Sequence, residues 1–257
     1  MRKFFSIITP AYDHTSGGIK VMWGLYGALL LKGQIAYINA TSEDKNFVAV
    51  YPEIYPNTNE SGAKTVVRYI LNKPGTMALY GNPGPTTFDP HDKIYVFSRL
   101  FDTFGVDEDH ILFLPVIDLN TFFDQKKKRT KTCYFVGKGT NTNIHPKDAV
   151  AIDRAFALDQ NALANLLNEC QVMYCYDPVT AMTEISRLCG CRVVIIPSIY
   201  TKEEFSKYEP GMNGISWGID ESNLLDTKAF RRHYTALGEL FLKRLDKFIA
   251  ETRNEDD

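Results

Sequence analysis

A short apolar run, Phe4 to Thr9, is cut off by Pro10 and followed by a polar turn ending in Ser16-Gly17-Gly18. A helical stretch then runs from Ile19 to Lys32, Gly33 stops it, and a second apolar run follows from Ile35 to Ile38. Met22, Leu25, Tyr26 and Leu29 fall at the i, i+3, i+4, i+7 spacing of one buried helix face. A strand, a glycine turn, a helix and a strand in that order fit a crossover unit, and crossovers join parallel strands. This opening predicts an α/β chain built on parallel sheet.

The pattern continues with a predicted strand over Phe47 to Tyr51, a helix over Ala63 to Asn72 closed by Lys73-Pro74-Gly75, and a loop at Asn82-Pro83-Gly84-Pro85. Strands are expected over Ile94 to Ser98 and Ile111 to Leu114. Residues 124–131 are wholly polar, the best candidate for a domain boundary. The four bases Lys126 to Arg129 are either a solvated linker or a contact for an anionic membrane surface. A second α/β series follows. It has strands over Thr132 to Val136, Val172 to Tyr176 and Arg192 to Ile196, and helices over Asn161 to Glu169 and Pro178 to Leu188. A long last helix over about Lys228 to Thr252 carries the stripe Tyr234, Leu237, Phe241, Leu245 and Phe248, and the charged tail from Arg253 to Asp257 is expected to fray. The expected domains are residues 1–122, 131–228 and a terminal helix with its tail, 229–257.

With 257 residues the chain is long enough for two small domains. A net charge of -2 argues against a nucleic-acid partner. The five cysteines, Cys133, Cys170, Cys175, Cys189 and Cys191, are odd in number and sit in apolar runs, the usage of buried thiols in a reducing compartment. Cys189 and Cys191 are too close for zinc spacing and have no second ligand pair, so no metal site is expected. Met1 to Ile8 has neither the long apolar core nor the cleavage site of a secretory leader. No run of about 20 apolar residues exists to span a bilayer. A cytoplasmic protein is expected, with peripheral contact at a membrane left open.

Ligands of open parallel sheets bind beyond the carboxyl ends of the strands. Two glycine turns stand there, Gly17-Gly18 and Gly137-Lys138-Gly139. Glycine lets backbone approach a phosphate, and a following helix would offer free N–H groups and its positive end. The bland alternative at Gly17 and Gly18 is a tight turn. Lys138 is placed to face a diphosphate. After the Tyr174-Cys175-Tyr176 strand end, Asp177-Pro178-Val179-Thr180 opens a helix, with Asp177 as its cap. The N–H groups of Thr180 and Ala181 then either hold a phosphate or are used by the cap. Glu184, four residues after Thr180, is expected on the same helix face, facing the ribose or merely solvated. Asp13 and His14 are candidates for a catalytic base, against the reading of a solvent-exposed loop; His145-Pro146 reads as loop.

The Ser16-Gly17-Gly18 turn with its Leu25-Tyr26-Gly27-Ala28-Leu29 helix resembles the start of bacterial glycosyltransferases of the two-Rossmann GT-B fold. So do Tyr176-Asp177-Pro178-Val179-Thr180-Ala181 and Arg187-Leu188-Cys189-Gly190-Cys191-Arg192, which are similar to the donor-site helix and strand of their second domain. Tyr51-Pro52-Glu53-Ile54 and Val67 to Asn72 resemble uncharacterised members from surface-polysaccharide gene clusters. The resemblance implies two Rossmann-like domains facing across a cleft, with the last helix crossing back to the first. It also departs from the family: of the two glutamates common in retaining members, one position holds Asp177 and the other Ile185, with Glu184 one residue early, and Lys138 only partly replaces the usual diphosphate-binding cations.

The activity implied is transfer of a sugar from a nucleotide-diphosphate-sugar to a glycan or lipid-linked acceptor, hexosyltransferase-like, retaining or inverting, with no metal and no cofactor. Helix N–H groups and a cation would stabilise the leaving diphosphate. The alternative is a catalytically weak nucleotide-sugar-binding module. A dehydrogenase or epimerase would want Gly-x-Gly-x-x-Gly after the first strand, which is absent.

Overall fold

The computed structural model describes residues 3–76 and 84–253. The Asn82-Pro83 half of the expected loop and residues 254–257 of the tail lie outside the described residues. The chain divides into two compact units, Met1–Val116 with Leu237–Asp257, and Ile117–Ala236. Each is a Rossmann-like α/β unit on a five-stranded parallel sheet.

The first unit contains β1 (Phe5–Ile7), α1 (Gly17–Leu31), β2 (Ala36–Ile38), β3 (Val48–Pro52), β4 (Thr65–Ile70) and β5 (Lys93–Val96), with strand order β2-β1-β3-β4-β5. Every residue of β3 and β4 is buried, as expected for parallel strands covered on both faces. The Ser16 hydroxyl accepts from the Ile19 N–H and caps α1, whose Val21, Met22, Leu25, Ala28 and Leu29 are buried. They pack into one core with Phe5, Ile7, Val50, Val67 and Tyr69.

The second unit contains β6 (Lys131–Phe135), β7 (Val150–Ile152), α2 (Gln160–Glu169), β8 (Cys170–Cys175), α3 (Met182–Leu188), β9 (Arg192–Ile195), α4 (Lys202–Phe205) and β10 (Ile215–Trp217), with order β10-β9-β8-β6-β7. All five cysteines are buried and unpaired. The last helix, α5 (Thr227–Arg253), serves both units: Phe230 and Tyr234 are buried in the second, while Phe241, Leu245 and Phe248 join the core of the first. Numbered within its unit, each sheet reads 2-1-3-4-5.

Several elements differ from the sequence expectation. Ala63 to Asn72 is not helical: Thr65–Ile70 is strand β4, paired between β3 and β5. Thr65, Val66, Val67 and Ile70 are β-branched and prefer extended backbone, and a continuous apolar run cannot separate buried strand from buried helix by period. The one charge within β4, Arg68, is buried. Nε donates to Asp92 Oδ2 at 2.7 Å, Nη1 and Nη2 to the carbonyls of Pro56 and Thr58, and the guanidinium lies over the Tyr51 and Phe88 rings. Among the described residues, Ile111 to Leu114 makes only the single bridge Val96–Ile111. Strands β7 and β10 and helix α4 have no counterpart in the sequence expectation.

The polar stretch 124–131 lies inside the second unit. Arg129 Nη1 donates to the carbonyls of Leu167 and Cys170, and Nη2 to that of Cys189 and to Asp124 Oδ1 at 2.8 Å. One side chain thereby satisfies carbonyls at the ends of both α2 and α3, groups that a helix cannot pair internally. Lys126, Lys127 and Lys128 remain exposed.

Candidate functional site

In sheets ordered 2-1-3-4-5, the chain leaves its first strand toward one side and its third toward the other, and ligands bind at that divergence. Here the two switch points are the carboxyl ends of β1 and β3, and of β6 and β8.

At the second switch point the residues after β6 and β8 are interlocked. The Gly139 N–H donates to the Val136 carbonyl, and the Tyr176 N–H to that of Phe135. Gly137 has φ +56°, and a Cβ there would stand 2.7 Å from Asp177 Oδ2. A Cβ on Gly139 would land on the backbone carbonyl of Tyr176, so no other residue fits without moving the strand end. Asp177 is buried, and its carboxylate accepts from the Lys138 N–H at 3.1 Å. Burial pushes the Asp177 carboxyl above its usual range, against the pull of the Lys138 and Val179 N–H groups and the Lys138 charge. The Cys175 thiol donates to the Asp177 carbonyl, and burial drives that thiol well up. Gly137, Lys138, Gly139, Tyr176 and Asp177 are thus one connected structure, with Gly137 and Lys138 exposed.

Three expectations are corrected there. No helix follows the Gly137 turn: residues 136–149 run to β7 without one, so no helix end faces a ligand after β6. Asp177 does not cap the next helix. That helix, α3, begins only at Met182 and has 7 residues. Thr180 and Ala181 precede it, and the Thr180 carbonyl takes the Thr183 N–H while its own hydroxyl accepts from the Met182 N–H at 3.4 Å. Glu184 points inward: it is 2% exposed, and Oε2 accepts from the Thr183 hydroxyl at 3.0 Å. Burial raises its carboxyl above the ordinary range, partly offset by the Arg187 charge and the Tyr208 hydroxyl. Glu184 therefore does not sit on a solvent face of the helix.

Beside it lies Arg187, wholly buried, whose role the sequence did not show. Nε donates to the Thr183 carbonyl, Nη1 to those of Gly211 at 2.7 Å and Asn213 at 3.1 Å, and the guanidinium stacks 4.0 Å from the Phe230 ring centroid. Burial lowers its pKa to about 10. Arg187 pins α3 to the 210–213 loop and to α5. A second residue the sequence left as loop is His145, stacked on Tyr134 with ring centroids 3.7 Å apart and bonded to Tyr176. Nothing local marked it, since the partners come from β6 and from the end of β8.

At the first switch point, Gly17 and Gly18 are the first two residues of α1 rather than a loop. Added Cβ atoms would meet nothing within 4 Å at Gly17 and only Leu71 at 3.6 Å at Gly18. Tight-turn geometry therefore does not demand glycine at either position. The first turn of α1 carries no acidic residue, and burial lowers the pKa of Lys20. Asp13 accepts from the Thr15 N–H at 2.8 Å and the Thr15 hydroxyl at 2.7 Å, and so holds the turn before the helix; His14 is exposed. Glu53, buried at the end of β3, accepts from the Leu71 N–H.

No protein-family model and no curated protein sequence matches the chain. Among solved structures it is similar to ADP-heptose lps heptosyltransferase II of E. coli, with 11% identity over 94% of this chain and 99% of that one, and a TM-score of 0.32. Among the described residues no helix is long and apolar enough to cross a membrane, and no three His, Cys, Asp or Glu side chains are grouped to hold a metal.

Proposed function

We propose that this chain is a GT-B-type glycosyltransferase that moves a sugar from a nucleotide-diphosphate-sugar to a glycan or lipid-linked acceptor without a resident metal. The observation that carries the reading is the doubled 2-1-3-4-5 topology with a glycine-flanked element at each switch point. Two sheets each offering a phosphate-accessible edge suit a reaction that joins two substrates. The second unit is the proposed donor domain. There the packed turn holds exposed Lys138 at the switch point, and Lys138 supplies the positive charge that a leaving diphosphate needs. The first unit is the proposed acceptor domain. His14 is its proposed base, with Asp13 fixing the turn that carries it, and the α1 N-terminus at Gly17 and Gly18 is an opening for an anionic group. We place the protein in the cytoplasm, with exposed Lys126, Lys127 and Lys128 beside half-exposed Phe123 as the contact for an anionic membrane surface.

The buried Glu184 favours a second reading, a nucleotide-sugar-binding module with little turnover, because the carboxylate expected at the ribose is engaged inside the unit. A thermal-shift screen against UDP, GDP, ADP, CMP and dTDP and their sugars tests both, since a bound nucleotide raises stability with the logarithm of its concentration over its dissociation constant. Stabilisation by one nucleotide with release of sugar supports the enzyme; stabilisation without release supports the binding module. No shift with any of them sinks both.

A further inference from the structure

The Tyr176 hydroxyl has three neighbours. The Ile144 N–H donates to it at 3.0 Å, the His145 N–H donates to it at 3.3 Å, and the His145 ring nitrogen Nδ1 lies 2.7 Å away. A phenol hydroxyl has two lone pairs and one hydrogen. The two backbone N–H groups use both lone pairs, so the hydrogen goes to Nδ1, which must then be an acceptor. The count closes only if His145 is neutral and carries its proton on Nε2. The ring is fixed in position as well as in tautomer. It stacks on Tyr134 of β6 at an interplanar angle of 10° and meets the Tyr176 ring edge-on at 86°. Nε2 has no hydrogen-bond partner among the described residues, and His145 is half-buried. An oriented N–H donor, held by residues from the ends of β6 and β8, stands where the fold places ligands. It also stands in the segment that replaces the first helix of the unit, so this edge lacks the N–H groups such a helix would supply.

We propose that His145 is a ligand-binding residue of the second switch point: Tyr176 locks it as the neutral Nε2–H tautomer, and Nε2–H donates to a phosphate oxygen of a nucleoside diphosphate. This rests on the donor-domain reading above. Tyr176 is the positioning residue and His145 the one that touches ligand. The Tyr176 hydroxyl also ties the 144–145 backbone to the strand end, so one group sets both the loop and the tautomer.

The test is long-range proton–nitrogen NMR of the histidine rings in the full chain, joined to calorimetric binding of UDP, GDP and ADP. We expect the Nε2–H tautomer for His145 in the free protein, a mixture of tautomers in Tyr176→Phe, and a shift of the Nε2 resonance on adding the diphosphate that binds. His145→Ala should weaken that diphosphate about tenfold, the size of one hydrogen bond to a charged group, and His145→Gln, which keeps an N–H donor, should recover part of it. Thermal melting of each variant shows that it is folded. An Nδ1–H tautomer in the wild type, or His145→Ala binding as tightly as wild type, overturns this inference and leaves the donor-domain reading standing. Failure of the wild type to bind any of the three diphosphates overturns both.

Discussion

The two units share one strand order and build their switch points from different parts. In the first unit the loop after β1 ends in a helix of 15 residues whose opening glycines have free space around them. In the second, the segment after β6 contains no helix, and its glycines are packed against the Tyr176 carbonyl and the Asp177 carboxylate. An open helix end offers N–H groups with no side chain in the way. A packed turn offers few free N–H groups but holds one cation, Lys138, on a rigid base, with the Tyr176–His145 pair beside it. The same topology can thus present an anion with either backbone dipoles or placed side chains. Glycine means different things in the two places: accessibility at 17 and 18, steric necessity at 137 and 139.

The largest expected effect breaks that contrast at its most crowded point. Gly139→Ala should destabilise the protein by about 3 kcal/mol or more in urea unfolding, because the new methyl group overlaps a backbone carbonyl that cannot rotate aside. A loss below about 1 kcal/mol would mean that the turn and the strand end are not locked. Next in size, Lys138→Ala should weaken nucleoside diphosphate binding by about 1–3 kcal/mol, with thermal melting used to show that the variant is folded. Equal affinity would move the diphosphate away from the second switch point.

Glu184 sharpens the comparison from the inside of the second unit. Burial raises its folded-state pKa above the ordinary glutamate value, so the native protein holds this proton more tightly than the unfolded chain does. The stability it contributes is then fully present below the unfolded value and is lost as pH rises through the folded one. Glu184→Gln cannot ionise, so its stability relative to wild type should rise from about pH 4.5 upward, by about 1.4 kcal/mol for each unit separating the two pKa values. A difference that stays flat with pH would show a solvated carboxylate after all. The smallest effect belongs to the first unit. Gly17→Ala should stabilise by up to about 0.5–1 kcal/mol, the propensity gain of alanine over glycine in a helix. A clear destabilisation would show that the α1 N-terminus needs glycine for its own fold.

Much of the fold was legible from local pattern. The alternation of apolar runs, glycine turns and amphipathic helices marked a parallel α/β chain, and α1, α2 and α5 lie close to where their periodicity puts them, because buried-face spacing is a property of neighbouring residues. The Gly137-Lys138-Gly139 turn and Tyr176-Asp177 could be picked out because glycine and strand ends are visible in sequence. Ala63 to Asn72 could not be settled that way. Its apolar run fits either element until β3 and β5 are seen to flank it on both sides.

What the sequence by itself determined is therefore the class of the protein and the residues that stand at the ends of its strands. The tertiary structure alone decided the strand order, and with it which of those ends share a switch point. It also decided the direction of each polar side chain. Glu184 turns inward beside an Arg187 that reaches carbonyls in the 210–213 loop, and the His145 ring lies within hydrogen-bond reach of a tyrosine 31 residues away. The physical reason is the same throughout. Secondary structure follows from periodicities over a few residues, whereas burial, charge pairing and proton position depend on partners that only the folded chain brings within hydrogen-bond reach.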